Sequence, residues 1–257
     1  MFEVQPIPAF EDNYIWALRG ETPDQVAVVD PGDADVVFKF LRENRLNLAA
    51  ILITHHHWDH TGGVERLVER YSVPVFGPAD SPFGGITKPL EDGAEFQLLG
   101  NRLEVRSVPA HTLDHIAYFQ PDGTPQLFCG DTLFLAGCGR LFEGTAEQMQ
   151  RAMDYFAALP SQTAVYCTHE YSLANLHFAL KVERENPAIV KELERCTELR
   201  QLGKPTLPSR IEIEREINPY MRTRESSVKR AAELYSGQTL ETEIDVLAAV
   251  RSWKNSS

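Results

Sequence analysis

The sequence predicts an α+β fold, with mixed sheets, helices packed outside them and a helical appendix at the end. Three observations predict it. Strand and helix patterns alternate up to about residue 76, antiparallel strand pairs dominate residues 95–130, and strand patterns become sparse after residue 172. The 257 residues, 43% of them hydrophobic, suffice for one large domain with a smaller appendix.

Residues 13–19 and 25–30 read as strands around a turn at 20–24, with Val26, Val28 and Val29 supplying branched packing groups. Asp30-Pro31-Gly32 ends the second strand. There Asp30 either closes a turn or hydrogen-bonds a nearby histidine. Val36, Val37, Phe40 and Leu41 make 33–43 an amphipathic helix, and 49–54 is the next strand. A helix over 62–71 and a short strand over 73–76 follow, then a loop rich in Gly, Pro and charge over 77–93. Residues 95–99 pair with 103–109 across Gly100-Asn101, and 115–119 with 125–130 around Pro121-Asp122-Gly123. No GxGxxG is present, which argues against a purely parallel dinucleotide fold. A helix over 146–159 stops at Pro160, and 163–167 is one more strand. Beyond it 173–185, 187–202, 227–235 and 240–254 read as helices, while 211–214 alternates like a short strand or extended connector. The expected boundary separates a layered domain, 1–171, from a helical domain, 172–257.

A formal net charge of −12 argues against general binding to nucleic acid or an anionic membrane. It does not bar a small anionic substrate, because the field near bound metal is local and positive. The N-terminus has no basic segment with a long apolar core, and no 18-residue apolar run is present. The four cysteines form no CxxC pair. Together these predict a cytoplasmic protein with reduced thiols.

One stretch carries the chemistry. Thr54-His55-His56-His57-Trp58-Asp59-His60 holds four of the eight histidines directly after an apolar strand. Side chains alternate along an extended segment, so His55 and His57 point one way and His56 the other. Asp59 and His60 fall where the chain turns and can face a second metal. His111, Asp131 and His169 each follow an apolar strand as well. A simple partition puts His55, His57 and His111 on one metal and Asp59, His60 and His169 on another. Asp131, with two oxygens and no sequence neighbour in the set, is the natural bridge. Imidazole and carboxylate suit zinc, iron or manganese. Two such ions roughly 3.5 Å apart ionise a water and polarise a substrate oxygen. His115, at the start of the next strand, reads as a supporting residue.

His55-x-His57-x-Asp59-His60, followed in order by His111, Asp131 and His169, resembles the signature of the metallo-beta-lactamase superfamily. Within it the chain resembles the hydroxyacylglutathione hydrolases, or glyoxalase II family. The likeness runs through Cys129-Gly130-Asp131-Thr132-Leu133-Phe134, Ala136-Gly137-Cys138-Gly139-Arg140, Glu143-Gly144-Thr145, Thr168-His169-Glu170-Tyr171 and the helical appendix. It implies a four-layer αβ/βα sandwich with the helical domain over the site, and two divalent metal ions per chain, zinc first and iron or manganese as alternatives. The implied reaction belongs to the glyoxalase pathway of methylglyoxal detoxification. It is hydrolysis of S-(2-hydroxyacyl)glutathione, chiefly S-D-lactoylglutathione, to glutathione and a 2-hydroxy acid by a metal-bridging hydroxide. Asp59 and Asp131 are the implied catalytic carboxylates, and the protein is expected to be a monomer. Substrate contacts are implied for Arg140, where Lys is common, and for Tyr171, Arg251 and Lys254. By itself the last pair reads as a solvated helix face. Phe142 lies where a tyrosine can supply a hydrogen bond, so the ring is kept and the hydroxyl lost. The competing activities are those of a lactonase or other acylthioester hydrolase, and of an iron-dependent glutathione persulfide dioxygenase.

Overall fold

The computed structural model describes residues 1–257, and its strands assemble into two six-stranded sheets and one small hairpin. The first sheet is built from β1 (Glu3–Ala9), β2 (Asn13–Arg19) and β3 (Gln25–Val29), then β4 (Asn47–Leu52), β5 (Val75–Pro78) and β6 (Lys88–Leu90), in that spatial order. β1, β2 and β3 are antiparallel neighbours, whereas β3 to β6 run parallel. Parallel neighbours need crossovers: α1 (Ala34–Asn44) links β3 to β4, α2 (Trp58–Thr61) with α3 (Val64–Tyr71) links β4 to β5, and the helix-free segment 79–87 links β5 to β6. Asp33 caps α1, its carboxylate accepting from Asp35 N at 2.8 Å.

The second sheet contains β7 (Glu95–Leu98), β8 (Asn101–Ser107), β9 (Ile116–Gln120), β10 (Gln126–Gly130), β13 (Ala164–Cys167) and β14 (Ser209–Arg210), in the spatial order β14-β13-β10-β9-β8-β7. Between β10 and β13 lie the hairpin strands β11 (Leu133–Phe134) and β12 (Gly137–Cys138) and the helix α4 (Ala146–Ala158). The remaining helices are α5 (Ser172–Val182), α6 (Pro187–Gln201), α7 (Ile211–Ile217), α8 (Ser226–Ser236) and α9 (Glu243–Asn255). None is long and apolar enough to cross a membrane.

Strand alternation splits the apolar side chains between two cores. Ile15, Ala17, Val26, Val28, Ile51 and Ile53 face outward and bury Val37, Leu41 and Leu67 of α1 and α3. Trp16, Leu18, Ala27, Val29 and Leu52 face inward and join the larger core, which includes the second sheet, α4 and the C-terminal helices. Trp16 meets Tyr166 of the opposing sheet edge-on, ring centres 5.0 Å apart. Helices therefore flank two face-packed sheets, the α+β sandwich expected.

Three local expectations change. β1 and β6 are strands that residue patterns alone did not reveal. Residues 211–214 open a helix, not a strand, because Ile211, Glu214 and Ile217 are the inward-facing set at helical spacing. Four residues of alternation cannot distinguish the two periods. Finally, α2 inserts a short helix inside the histidine-rich turn, and it carries Asp59 and His60.

Strand direction decides where the later site residues emerge. β8 and β10 are both antiparallel to β9, and β13 is parallel to β10. Hence β8, β10 and β13 share one direction, and His111, Asp131 and His169 leave the sheet at the same rim. β4 delivers the histidine-rich turn to that rim from the first sheet.

Candidate metal centre

Seven side chains converge where the two sheets open. Nδ1 of His57 lies 3.1 Å from Nε2 of His55 and 3.0 Å from Nε2 of His111. A second set joins Nε2 of His60 to Asp59 Oδ2 at 3.3 Å and Nε2 of His169 to the same oxygen at 3.4 Å. Asp131 reaches both sets. Its Oδ2 is 3.5 Å from His111 Nε2 and 3.3 Å from His169 Nε2, and its Oδ1 is 3.6 Å from His60 Nε2.

The donor set fits metal ions better than it fits itself. Metal–nitrogen bonds of about 2.0–2.1 Å in tetrahedral geometry bring ligand atoms to roughly 3.3 Å from one another, close to the spacings here. Buried polar atoms are normally satisfied, yet His60 Nε2 and Asp131 Oδ1 are buried without a hydrogen-bond partner. Asp30, His55 and His60 also lie close enough to hold an ion. Asp30 is nevertheless engaged otherwise, because its oxygens accept from Thr54 N (2.7 Å), Thr54 Oγ1 (2.7 Å) and His60 Nδ1 (3.0 Å).

Hydrogen bonds behind the rings fix their orientation. Carboxylate and carbonyl oxygens only accept, so the facing ring nitrogens donate. His60 Nδ1 donates to Asp30, His111 Nδ1 to Arg140 O at 2.8 Å, and His169 Nδ1 to Asp12 Oδ1 at 2.7 Å. Thr54 Oγ1 gives its proton to Asp30 and can accept from His55 Nδ1, 3.0 Å away. Each of these four histidines thus presents Nε2 to the centre. His115 has a different task. Its Nε2 accepts from Asp131 N at 3.1 Å, and its ring stacks on His55 at 4.6 Å.

Electrostatics follow burial and charge. Burial holds His55, His57 and His111 below the ordinary histidine value and pushes His115 down to about 3. Burial also opposes a charge on His60 and His169, but Asp131, with Asp30 or Asp12, outweighs it and raises both. Asp131 and Asp59 are held below the carboxylate range despite burial, by His169 and His60. The carboxylates thus favour positive charge at His60 and His169, and a metal ion binding there would compete with protons.

The remaining predicted residues divide: Phe142 and Tyr171 touch ligand rings, whereas Arg251 and Lys254 contact other parts of the chain. His56 turns away, as alternation required, and donates to Asp114 Oδ1 at 2.9 Å. Phe142, 60% exposed, sets its ring against His57 and His111 at 5.7 and 5.3 Å. Arg140 lies over the Phe142 ring at 5.7 Å. Tyr171 stacks on His169 at 4.7 Å. Lys254 Nζ donates to Ala174 O at 3.0 Å, while Arg251 is buried and spends two nitrogens, on Cys138 O at 2.8 Å and Asn255 Oδ1 at 3.2 Å. Sequence reading missed Asp12, Asn13 and Thr54. Asn13 Nδ2 donates to Asp59 Oδ2 at 3.0 Å. Asp12 closes an ordinary-looking turn and Asn13 opens β2, both brought to the site by main-chain bonds such as Tyr14 N to Thr168 O at 2.7 Å.

Residues 10–169 match the family model of the metallo-beta-lactamase superfamily, and residues 170–257 match that of the hydroxyacylglutathione hydrolase C-terminus. Curated relatives named hydroxyacylglutathione hydrolase include one from Chromohalobacter salexigens (52% identical) and one from Pseudomonas aeruginosa (50%), each aligned over 99% of both chains. Among solved structures, ETHE1 from Myxococcus xanthus superposes with a TM-score of 0.65 over 99% of this chain and 98% of its own, at 22% identity, a likeness of fold alone. A di-iron-bound form of TTHA1623 covers 64% of this chain and 91% of its own, with TM-score 0.56 and 27% identity. With the superfamily model matched over all seven ligands, the C-terminal model matched directly after it, and relatives about 50% identical over the whole chain, the chain belongs to the hydroxyacylglutathione hydrolases of the metallo-beta-lactamase superfamily.

Proposed function

We propose that this chain hydrolyses the thioester of S-(2-hydroxyacyl)glutathione, chiefly S-D-lactoylglutathione, to glutathione and a 2-hydroxy acid. The observation that carries the reading is the seven-residue cluster, bridged by Asp131, beside a C-terminal region matched by the hydroxyacylglutathione hydrolase model. His55, His57 and His111 would hold one divalent ion and Asp59, His60 and His169 the other, with Asp131 shared and zinc the first choice over iron or manganese. Two cations held there would supply a water ionised near neutral pH and a Lewis acid for the thioester carbonyl.

The chain's own residues do the rest. Asp30, Asp12 and the Arg140 carbonyl fix the ring orientations, and His115 fixes the main chain of Asp131. Asp59 is half-buried and steadied by Asn13, and is the carboxylate through which a proton would leave. A thiolate is a good leaving group, so no strong general acid is needed. We read residues 172–257 as the substrate-binding domain, where Lys254 and Arg251 would meet a carboxylate of the tripeptide, with Arg140 and Tyr171 at the rim. A single chain contains the whole cluster, so no second copy is needed to complete it, and a monomer suffices for the reading. Four buried free thiols support a reducing, cytoplasmic setting.

The test compares zinc-loaded protein on S-D-lactoylglutathione and on a lactoyl thioester lacking the tripeptide. A kcat/KM preference for the full conjugate is expected. Equal rates would remove glutathione from the assignment, and no hydrolysis of either would remove the thioesterase.

A further inference from the structure

The hairpin β11–β12, Leu133–Cys138, joins Asp131 to Arg140 but has only two residue pairs of its own. Its main chain is gripped instead by side chains of the C-terminal helices. Asn218 Nδ2 donates to Phe134 O (3.2 Å) and Gly137 O (3.0 Å), Asn175 Nδ2 to Leu135 O (3.1 Å), and Arg251 to Cys138 O (2.8 Å). Ala136 N donates to Glu214 Oε2 at 2.9 Å. Glu214 is fully buried, and it also accepts from Asn218 Nδ2 (2.9 Å) and from Ser209 Oγ. The fit is close on both sides. Ala136 adopts a left-handed φ of 51°, and a Cβ on Gly137 would lie 2.5 Å from Asn175 Nδ2.

The hairpin also touches the candidate centre. Phe134 packs edge-on against His169 at 5.9 Å and Tyr171 at 5.4 Å. Beyond its far strand, Gly139 N returns to Thr132 O at 3.3 Å, beside Asp131, and Arg140 O accepts from His111 Nδ1. Thus Asp131 precedes the hairpin, His111 is held just after it, and His169 rests on its face.

We propose that Glu214 and Asn218 are positioning residues that hold the 133–138 hairpin in place and thereby set Asp131, His111 and His169 relative to one another. This rests on the metal-centre reading above. The C-terminal helices then serve the metal centre as well as the substrate. The buried carboxyl of Glu214 is raised to about 7, burial being the main cause, with a smaller contribution from Glu192 of α6. Glutamine is a faithful replacement. Its oxygen can accept from Ala136 and Asn218, and its NH2 can donate to Ser209 Oγ.

The experiment uses cobalt(II) as the probe metal, with Glu214→Gln, Glu214→Leu and Asn218→Ala compared with wild type. The readouts are cobalt per chain, the visible ligand-field bands, and kcat and KM on S-D-lactoylglutathione. Glu214→Gln should keep the wild-type bands and cobalt content. In Glu214→Leu and Asn218→Ala the bands should shift, and cobalt affinity and kcat should fall by roughly 10-fold or more, with KM changing less. Unchanged bands and kcat in both folded, clamp-breaking variants would overturn the proposal. Amide exchange on wild type keeps the test independent of variant folding. Because coupling is reciprocal, removing metal should speed exchange at Ala136, and unchanged exchange there would overturn the proposal. The bands need no substrate, so a protein that binds cobalt without hydrolysing thioester still decides the proposal, whereas a wild type that binds no cobalt overturns it.

Discussion

Asp30 Oδ2 lies 3.0 Å from Nδ1 of His60, behind the ring and opposite the Nε2 that faces the metal cluster. The same carboxylate holds Thr54 N and Thr54 Oγ1. One residue at the end of β3 therefore orients the last histidine of the motif and anchors the turn before the first. Asp30→Ala should lower metal affinity by about 10–100-fold. It should also destabilise the fold by about 1–3 kcal/mol, through the donors left unsatisfied. Metal retained after dialysis and urea unfolding check this, and wild-type retention would refute the orienting role.

Asp131→Asn tests the bridge. An amide keeps the shape but loses the charge that both sets share. Metal content should fall below two ions per chain and turnover by on the order of a hundredfold. Two ions with normal turnover would exclude the bridging assignment.

Lys254 carries a pH prediction. Burial, then Arg251 and Lys181, lowers its ammonium to about 8. The cation exists below that pH and is lost above it. Therefore kcat/KM for the glutathione thioester should decline above pH 8 while kcat stays level. Lys254→Ala should raise KM and abolish the decline. Arg251→Ala should raise KM and also lower kcat, because Arg251 holds the Cys138 carbonyl. Steady-state kinetics from pH 6 to 9 decide, and an unchanged KM in both variants would dismiss the carboxylate site.

Phe142→Tyr restores a hydroxyl at the rim of the cluster. One neutral hydrogen bond contributes about 1 kcal/mol, so KM should fall about fivefold with kcat nearly constant. No change in KM would mean that the ring's edge faces solvent, not substrate.

Glu214 links stability to pH. Its carboxyl is raised from 4.5 to about 7 in the folded chain. Below pH 4.5 both folded and unfolded chains hold the proton. Between there and pH 7 only the folded chain keeps it, so stability falls as pH rises through this window and levels off above it. The full effect is of the order of 3 kcal/mol. Glu214→Gln should lose that dependence, read as a smaller drop in urea midpoint from pH 5 to pH 8. Parallel profiles for the two proteins would contradict it.

The sequence by itself determined the chemistry of the candidate site. His55, His57, Asp59 and His60 lie within six positions, and strand alternation already separates His56 from its neighbours. Local spacing and residue type suffice for that, and for the long helices and hairpins, whose periodicity repeats over many residues. Convergence was a different matter. Only the tertiary structure decided that β8, β10 and β13 run the same way, so that His111, Asp131 and His169 meet at one rim. It alone brought Asp12 and Asn13, at the junction of a plain turn and β2, to His169 and Asp59, and turned the alternating 211–214 segment into the helix that carries Glu214 to the hairpin. These contacts span many tens of residues and depend on strand direction and packing between sheets. Neither leaves a local pattern in the chain.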